Sequence, residues 1–236
     1  MTSAAGGHVT RTGAATRQSA AASGGQRTRD HQDNLGVRRR GPVELALPVE
    51  PGSAEERVVD AMFACIGRWG LTKTTVEDVA RTAGISRATV YRLFPGGKSA
   101  ILQAGLATEV SRLVSSLSSE LERLDDLESC LARAVSVASR FLGDHAALAY
   151  VREHEWTAVE SFLAYDRLEA LFLLAGAALG PSLIRFVDPE RASRMAMWSA
   201  RLVVSYLLTP SDDIDLGDEA TARRIVTTYL LPAPVA

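Results

Sequence analysis

From residue 53 onward, apolar residues recur at intervals of three and four along nearly the whole chain, the spacing of helices that each bury one face. Between 53 and 69, Val58, Val59, Met62, Phe63 and Ile66 share a side, and Gly70 stands where a helix stops. A shorter repeat follows at Val76, Val79, Ala80 and Ala83. Residues 98–124 read as one long helix, with Leu102, Leu106, Val110, Leu113, Leu117, Leu121 and Leu124 stepping by four and three; at 1.5 Å per residue it spans roughly 40 Å. A further helix runs from Asp125-Asp126 to Phe141 and ends at Gly143-Asp144, and shorter pieces cover 145–154 and 155–165. The apolar run 166–179 is a buried core helix, too short for a bilayer, stopped by Gly180-Pro181. Pro189, a favoured first helical residue, opens a helix to Leu208, broken by Pro210, and 218–231 forms the last. Strict alternation is absent and β-branched runs are short, so the expected fold is all-α, with no strand.

The stretch Val76–Leu93, VEDVARTAGISRATVYRL, carries more than periodicity. Thr75 is a good N-cap and Asp78 adds negative charge to the first turn. Gly84 falls where the chain must reverse, and Ile85 plugs the corner. Ser86 caps a second helix whose Val90, Leu93 and Phe94 point back at the first; Ala80 must be small because the second helix crosses over it. Two short helices joined by such a turn are a helix-turn-helix, which lays its second helix in the DNA major groove. The outward residues are then Arg87, Ala88, Thr89, Tyr91 and Arg92, none acidic. Arg87 has the reach for guanine O6 and N7, and the Ala88 methyl can meet a thymine methyl. Thr89, Tyr91 and Arg92 can donate to phosphate oxygens. A merely solvated helix face is the plain alternative, but such a face need not exclude carboxylates or expose a tyrosine.

The segment LTKTTVEDVARTAGISRATVYRLFPGGKSAIL resembles the DNA-binding domain of the TetR family of bacterial transcriptional regulators. It has that family's Thr-Thr-Val, Val-Ala, Ala-Gly-Ile-Ser and Thr-Val-Tyr elements, then Phe94 and a Lys opening the next helix. Two features depart from the pattern: Pro95-Gly96-Gly97 is one residue longer than the usual turn, and Leu93 stands where an aromatic residue or His is common. The resemblance implies DNA contacts from Thr75, Ser86, Arg87, Thr89, Tyr91 and Lys98. It implies a DNA-binding domain over 53–104 and an all-helical ligand-binding and dimerisation domain over 105–236, after a disordered basic tail over 1–52 that composition sets apart. It also implies a homodimeric repressor, released from its operator by a small, apolar ligand.

Charge is distributed to match. The net charge is −2, but residues 1–50 hold seven Arg against four acids, and 105–236 hold twelve Arg against nineteen acids. Phosphates repel the acidic region, which should face away from DNA. Lys73 and Lys98 are the only lysines, and they flank the helix-turn-helix. Residues 1–50 are rich in Ala, Gly, Ser, Thr and Arg and poor in large apolar residues, which predicts disorder. There Arg38-Arg39-Arg40 either enters a minor groove or is a solvated tail, and the sequence favours neither.

Catalytic chemistry has no foothold. There is no P-loop, GxGxxG, GxSxG or HExxH, and the i, i+9 pair His145 and His154 does not share a helix face, so neither an enzyme, a cofactor nor a metal is expected. An enzyme would need a cluster of titratable residues in a cleft. Cys65 and Cys130 are isolated and read as reduced core thiols, with a redox switch the lesser alternative. The lack of a long apolar run and of a signal-peptide core points to the cytoplasm and no membrane.

In the C-terminal region, Phe141, Tyr150, Trp156, Phe162, Tyr165, Phe172 and Trp198 suit either a bundle core or an apolar pocket. Met195, Ala196, Ser199, Val203 and Tyr206 form a seam with small residues, and Ile225, Val226 and Tyr229 a second apolar face. Apolar surface left over there predicts a twofold four-helix dimer interface. A ligand-free architectural or co-regulatory DNA-binding protein is the rival reading; it requires a second domain packed solid.

Overall fold

The computed structural model describes residues 46–155, 157 and 165–231; the side chains of 165–168 and 170 lie outside that description. The expected tail, including Arg38–Arg40, therefore falls outside it, as do Trp156 and Phe162. Nine helices are present among the described residues: α1 (Ala54–Trp69), α2 (Val76–Ala83), α3 (Arg87–Leu93), α4 (Lys98–Leu121), α5 (Leu127–Gly143), α6 (Ala146–His154), α7 (Tyr165–Leu183), α8 (Pro189–Leu208) and α9 (Glu219–Tyr229). Extended pairing among these residues is limited to an isolated bridge between Ser211 and Ile214. The caps follow the sequence. Ser53, Asp126, Asp188 and Asp218 each accept a first-turn amide of the helix they begin.

Two apolar cores form. The first joins Val58, Val59, Met62 and Ile66 of α1 to Val79 and Ala80 of α2, Val90 of α3 and Ile101 of α4. Ala147 of α6 completes it, with Val151 packed alongside. The second gathers Leu131 and Val135 of α5, Leu179 and Leu183 of α7, Ala196 and Val203 of α8, and Ala222 and Val226 of α9. Burying each of these large side chains contributes about 1.5–3 kcal/mol relative to leaving it in water. Helix α4 reaches both cores, through Ile101 in the first and Leu121 in the second. Its Arg112 bonds Glu56 at 2.6 Å and Asp60 at 2.9 Å on α1, and Glu109 at 2.7 Å on its own helix. The Asp60 carboxylate first, then Glu56 and Glu109, hold that guanidinium firmly protonated.

Three expectations are corrected. Helix α7 does not stop at Gly180-Pro181 but runs on to Leu183. Pro181 removes a single amide donor near the helix end, and the full burial of Leu183 offsets that loss. Nor is α7 buried all round: Phe172, Leu179 and Leu183 face inward while Leu173 is 59% exposed. Finally, the seam assigned to a dimer is used inside one chain. Met195, Ala196, Ser199, Val203, Ile225 and Val226 are all buried in the single subunit, and Tyr206 packs against the same core. Counting apolar faces on α8 alone left no way to know that α7 and α5 cover them, while α9 packs on α5.

Candidate nucleic-acid interface

The chain enters α2 through a reciprocal cap. The Thr75 hydroxyl accepts the Asp78 amide at 3.2 Å, and the Asp78 carboxylate accepts the Thr75 amide at 3.1 Å. The Thr75 hydroxyl and then its amide hold the Asp78 carboxyl below the ordinary carboxylate range. At the far end Gly84 takes φ 69° and ψ 29°, a left-handed geometry that costs a residue with a Cβ about 1 kcal/mol or more. The turn is closed by the Ile85 amide donating to the Ala80 carbonyl at 3.0 Å. Ser86 then caps α3, accepting the Thr89 amide at 3.1 Å, with the two hydroxyls 2.9 Å apart.

Helix α3 is two turns long and splits cleanly. Val90 is fully buried and fastens it to the first core, with Phe94 beside it at the helix end. Arg87, Ala88, Tyr91 and Arg92 are exposed and Thr89 half-exposed. Tyr91 keeps 40% of its surface in water although its ring packs on Gly97; a Cβ there would lie 3.2 Å from the ring. The Arg87 guanidinium sits 5.5 Å from the centre of the Tyr91 ring, and Tyr91 raises its pKa further. The outer face of α3 thus presents two cations, a methyl group and a phenol, with no carboxylate. Thr75 and Ser86 are exposed too, with hydroxyls already engaged in caps. Lys98 is different. Its ammonium donates to the Leu71 carbonyl, and partial burial lowers its pKa.

A model of the family described as bacterial regulatory proteins, tetR family, matches residues 58–104. Residues 58–104 therefore form a TetR-type DNA-binding region. An uncharacterized HTH-type transcriptional regulator of Mycobacterium bovis, Mb2274c, is 27% identical over 194 residues, covering 79% of this chain and 97% of its own. Another from Mycobacterium tuberculosis, Rv1255c, is 26% identical over 182 residues, 76% of this chain and 84% of its own. Among solved structures, the TetR family repressor AlkX from Dietzia, implicated in biodegradation of n-alkanes, superposes with a TM-score of 0.57 at 20% identity, covering 77% of this chain and 97% of its own. The fatty acid degradation regulator FadR from Bacillus halodurans does so at 0.54 and 18%, covering 77% and 98%. These structures share the fold of this chain. The family and the named relatives make the protein a transcriptional regulator and not an enzyme.

Of the aromatic residues that suit either a core or a pocket, the side chains of Trp156, Phe162 and Tyr165 lie outside the described residues; among the others, Phe172 and Trp198 share the Arg201 guanidinium, which is 5.8 Å from the Trp198 ring centre, and Tyr150 lies apart. Tyr150 stacks on His154 at 4.5 Å and lies against Gly70, beside the first core. Phe172 is buried under the Arg201 guanidinium, 4.3 Å from its ring centre. Phe141 is half-buried near the end of α5, and Trp198 is 60% exposed. Trp198 instead edges an open groove of about 740 Å³ between α8 and α9, with Met195, Leu202 and Tyr229, rimmed by Arg191 and Arg194. Of the residues expected at a dimer interface, Tyr229 faces outward there and Met195 lines the groove. Among the described residues no cluster of His, Cys, Asp and Glu fits a metal ion, and no helix is long and apolar enough to cross a membrane.

One participant left no trace in the local sequence. Glu155, just past α6, accepts the Leu71 amide at 2.6 Å and the Thr72 amide at 3.0 Å, in the loop between α1 and α2. A carboxylate more than eighty positions away in the chain leaves no local signal at that loop.

Proposed function

We propose that this TetR-family regulator is a homodimeric repressor that reads its operator through Arg87 and Ala88 and anchors to phosphates through Tyr91, Thr89 and Arg92. The observation that carries this reading is the outer face of α3, cationic, free of carboxylate and fixed to the core by Val90. In a twofold dimer the two copies of α3 must lie about one DNA turn apart, roughly 34–36 Å. A small apolar ligand that binds better to a dimer with a different spacing would release the DNA. Support for such a ligand comes from structural neighbours: the FadR of Bacillus subtilis was solved with stearoyl-CoA, and EbrR is a multidrug binding protein solved with imidazole. The exposed groove between α8 and α9 supports a second copy as its occupant, and the cytoplasm is where a protein of this kind meets its DNA.

The test is a binding titration at one salt concentration, using a duplex selected by the protein from a randomised library and an unselected duplex of equal length. Arg87→Ala is expected to weaken binding to the selected duplex by about 1–3 kcal/mol and to relax its sequence preference. Tyr91→Phe is expected to weaken both duplexes alike. Equal losses on both duplexes for Arg87→Ala would remove it from base reading.

A further inference from the structure

Glu155 lies well outside the helix-turn-helix, yet it holds the loop that leads into it. Gly70 ends α1 at φ 89°, turning the chain so that the Leu71 and Thr72 amides, which no helix satisfies, both meet one carboxylate. The Leu71 carbonyl is taken by the Lys98 ammonium at the start of α4. Leu71 is therefore gripped on both sides of its backbone, by a carboxylate from the C-terminal end of α6 and an ammonium from α4. Thr74 closes the loop, its hydroxyl donating to the Gly70 carbonyl at 2.7 Å, and Thr75 caps α2 immediately afterwards. The fit is tight: a Cβ on Gly70 would lie 2.8 Å from the Glu155 carboxylate and 2.7 Å from the Tyr150 ring.

The position is an unfavourable one for a carboxylate on general grounds. A negative charge at a helix C-terminus opposes the helix dipole, and one held by the DNA-binding domain repels phosphate. Its compensation is local. Burial pushes the Glu155 carboxyl up, but the Thr72 and Leu71 amides and the Lys98 ammonium outweigh it and hold the group below its ordinary range. Charge-assisted bonds of this kind are about twice as strong as neutral ones.

We infer that Glu155 is a positioning residue for operator recognition: it sets the α1–α2 loop, and through it the N-terminus of α2 on which α3 rests. The inference builds on the DNA-binding reading above. It also explains why Lys98 is turned from solvent, since its ammonium completes the same clasp. A helix that belongs in sequence to the C-terminal region of the chain thereby fixes the geometry of the DNA-reading region.

The experiment compares full-length wild type, Glu155→Gln and Glu155→Asp on the selected and unselected duplexes, at a temperature well below the melting point of each. Hydrogen exchange of the Leu71 and Thr72 amides is followed in parallel. In Glu155→Gln the side-chain NH₂ faces one of the two amide donors and cannot accept it, so exchange there should quicken. The preference for the selected over the unselected duplex should fall on the order of tenfold, the equivalent of one charge-assisted hydrogen bond. Binding to the unselected duplex should hold or rise, because a charge that repels all DNA has gone. Glu155→Asp should restore some of the preference. Gly70→Ala, which crowds the same contact from the other side, should lose less in the Glu155→Gln background than in wild type. An unchanged preference in Glu155→Gln with quickened exchange would overturn the inference, as would multiplicative losses in the double variant. A wild type that binds DNA without any preference would overturn the operator reading itself, and this inference with it.

Discussion

Trp198→Ser tests the proposal that two copies of this chain meet at α8. Trp198 projects from α8 with 60% of its surface exposed, beside the exposed Tyr229 in the same groove. A tryptophan offers roughly 250 Å² for burial, so about 150 Å² would be covered by a second copy in the proposed dimer. At about 25 cal/mol per Å² this is close to 4 kcal/mol for each copy. Truncation of a central interface aromatic costs about 2–4 kcal/mol. Twofold symmetry counts the change twice, so the dimer should weaken by about 4–8 kcal/mol, a thousandfold or more in dissociation constant. The subunit should stay folded, because serine at an exposed site opens no cavity. Sedimentation velocity across a concentration series reads the constant, and thermal unfolding of the monomer checks the fold. A dissociation constant within tenfold of wild type would place the interface away from α8 and the groove beside it. Val203→Arg gives no such test: Val203 is 4% exposed inside its own subunit, and an arginine there would unfold the chain rather than separate the subunits.

Deleting residues 1–42 should flatten the salt dependence of DNA binding and leave the melting temperature unchanged if Arg38–Arg40 contact phosphate, because fewer counterions are then released; an unaltered slope in log Kd against log salt marks the cluster as a solvated tail. Stability should fall in acid. Asp78, Asp126 and Asp218 accept amides at the starts of α2, α5 and α9, from Thr75, Ser129 and Thr221, and these bonds hold each carboxyl below an ordinary value of 3.8. Their contribution is complete above the unfolded-state pKa and is lost as pH drops through the lower folded values, below about pH 4. The triple variant with Asn at these positions should show a shallower decline of melting temperature over that range, and an identical decline would assign acid sensitivity to other groups.

Local chemistry was legible in the chain itself. The cap at Thr75, the reversal at Gly84, the cap at Ser86 and the inward Val90 are all encoded within twenty residues, since each depends on a side chain or turn meeting groups a few positions away. That is why the helix-turn-helix, the acid-free outer face of α3 and the order of the helices follow from the order of residues alone. Pro181 shows the limit of such rules: a break expected from one missing donor gave way to the burial of Leu183, a long-range effect. The same holds for α8. Its apolar seam was plain in the sequence, but periodicity counts faces and does not say what covers them; packing assigned Val203 and Ser199 to the subunit's own core and left Trp198 and Tyr229 outside. Glu155 is the extreme case. Nothing near it in sequence marks it, because its partners are backbone amides of a loop more than eighty residues away, and only the folding of α6 onto α1 brings a carboxylate to two donors that the turn at Gly70 had left unpaired.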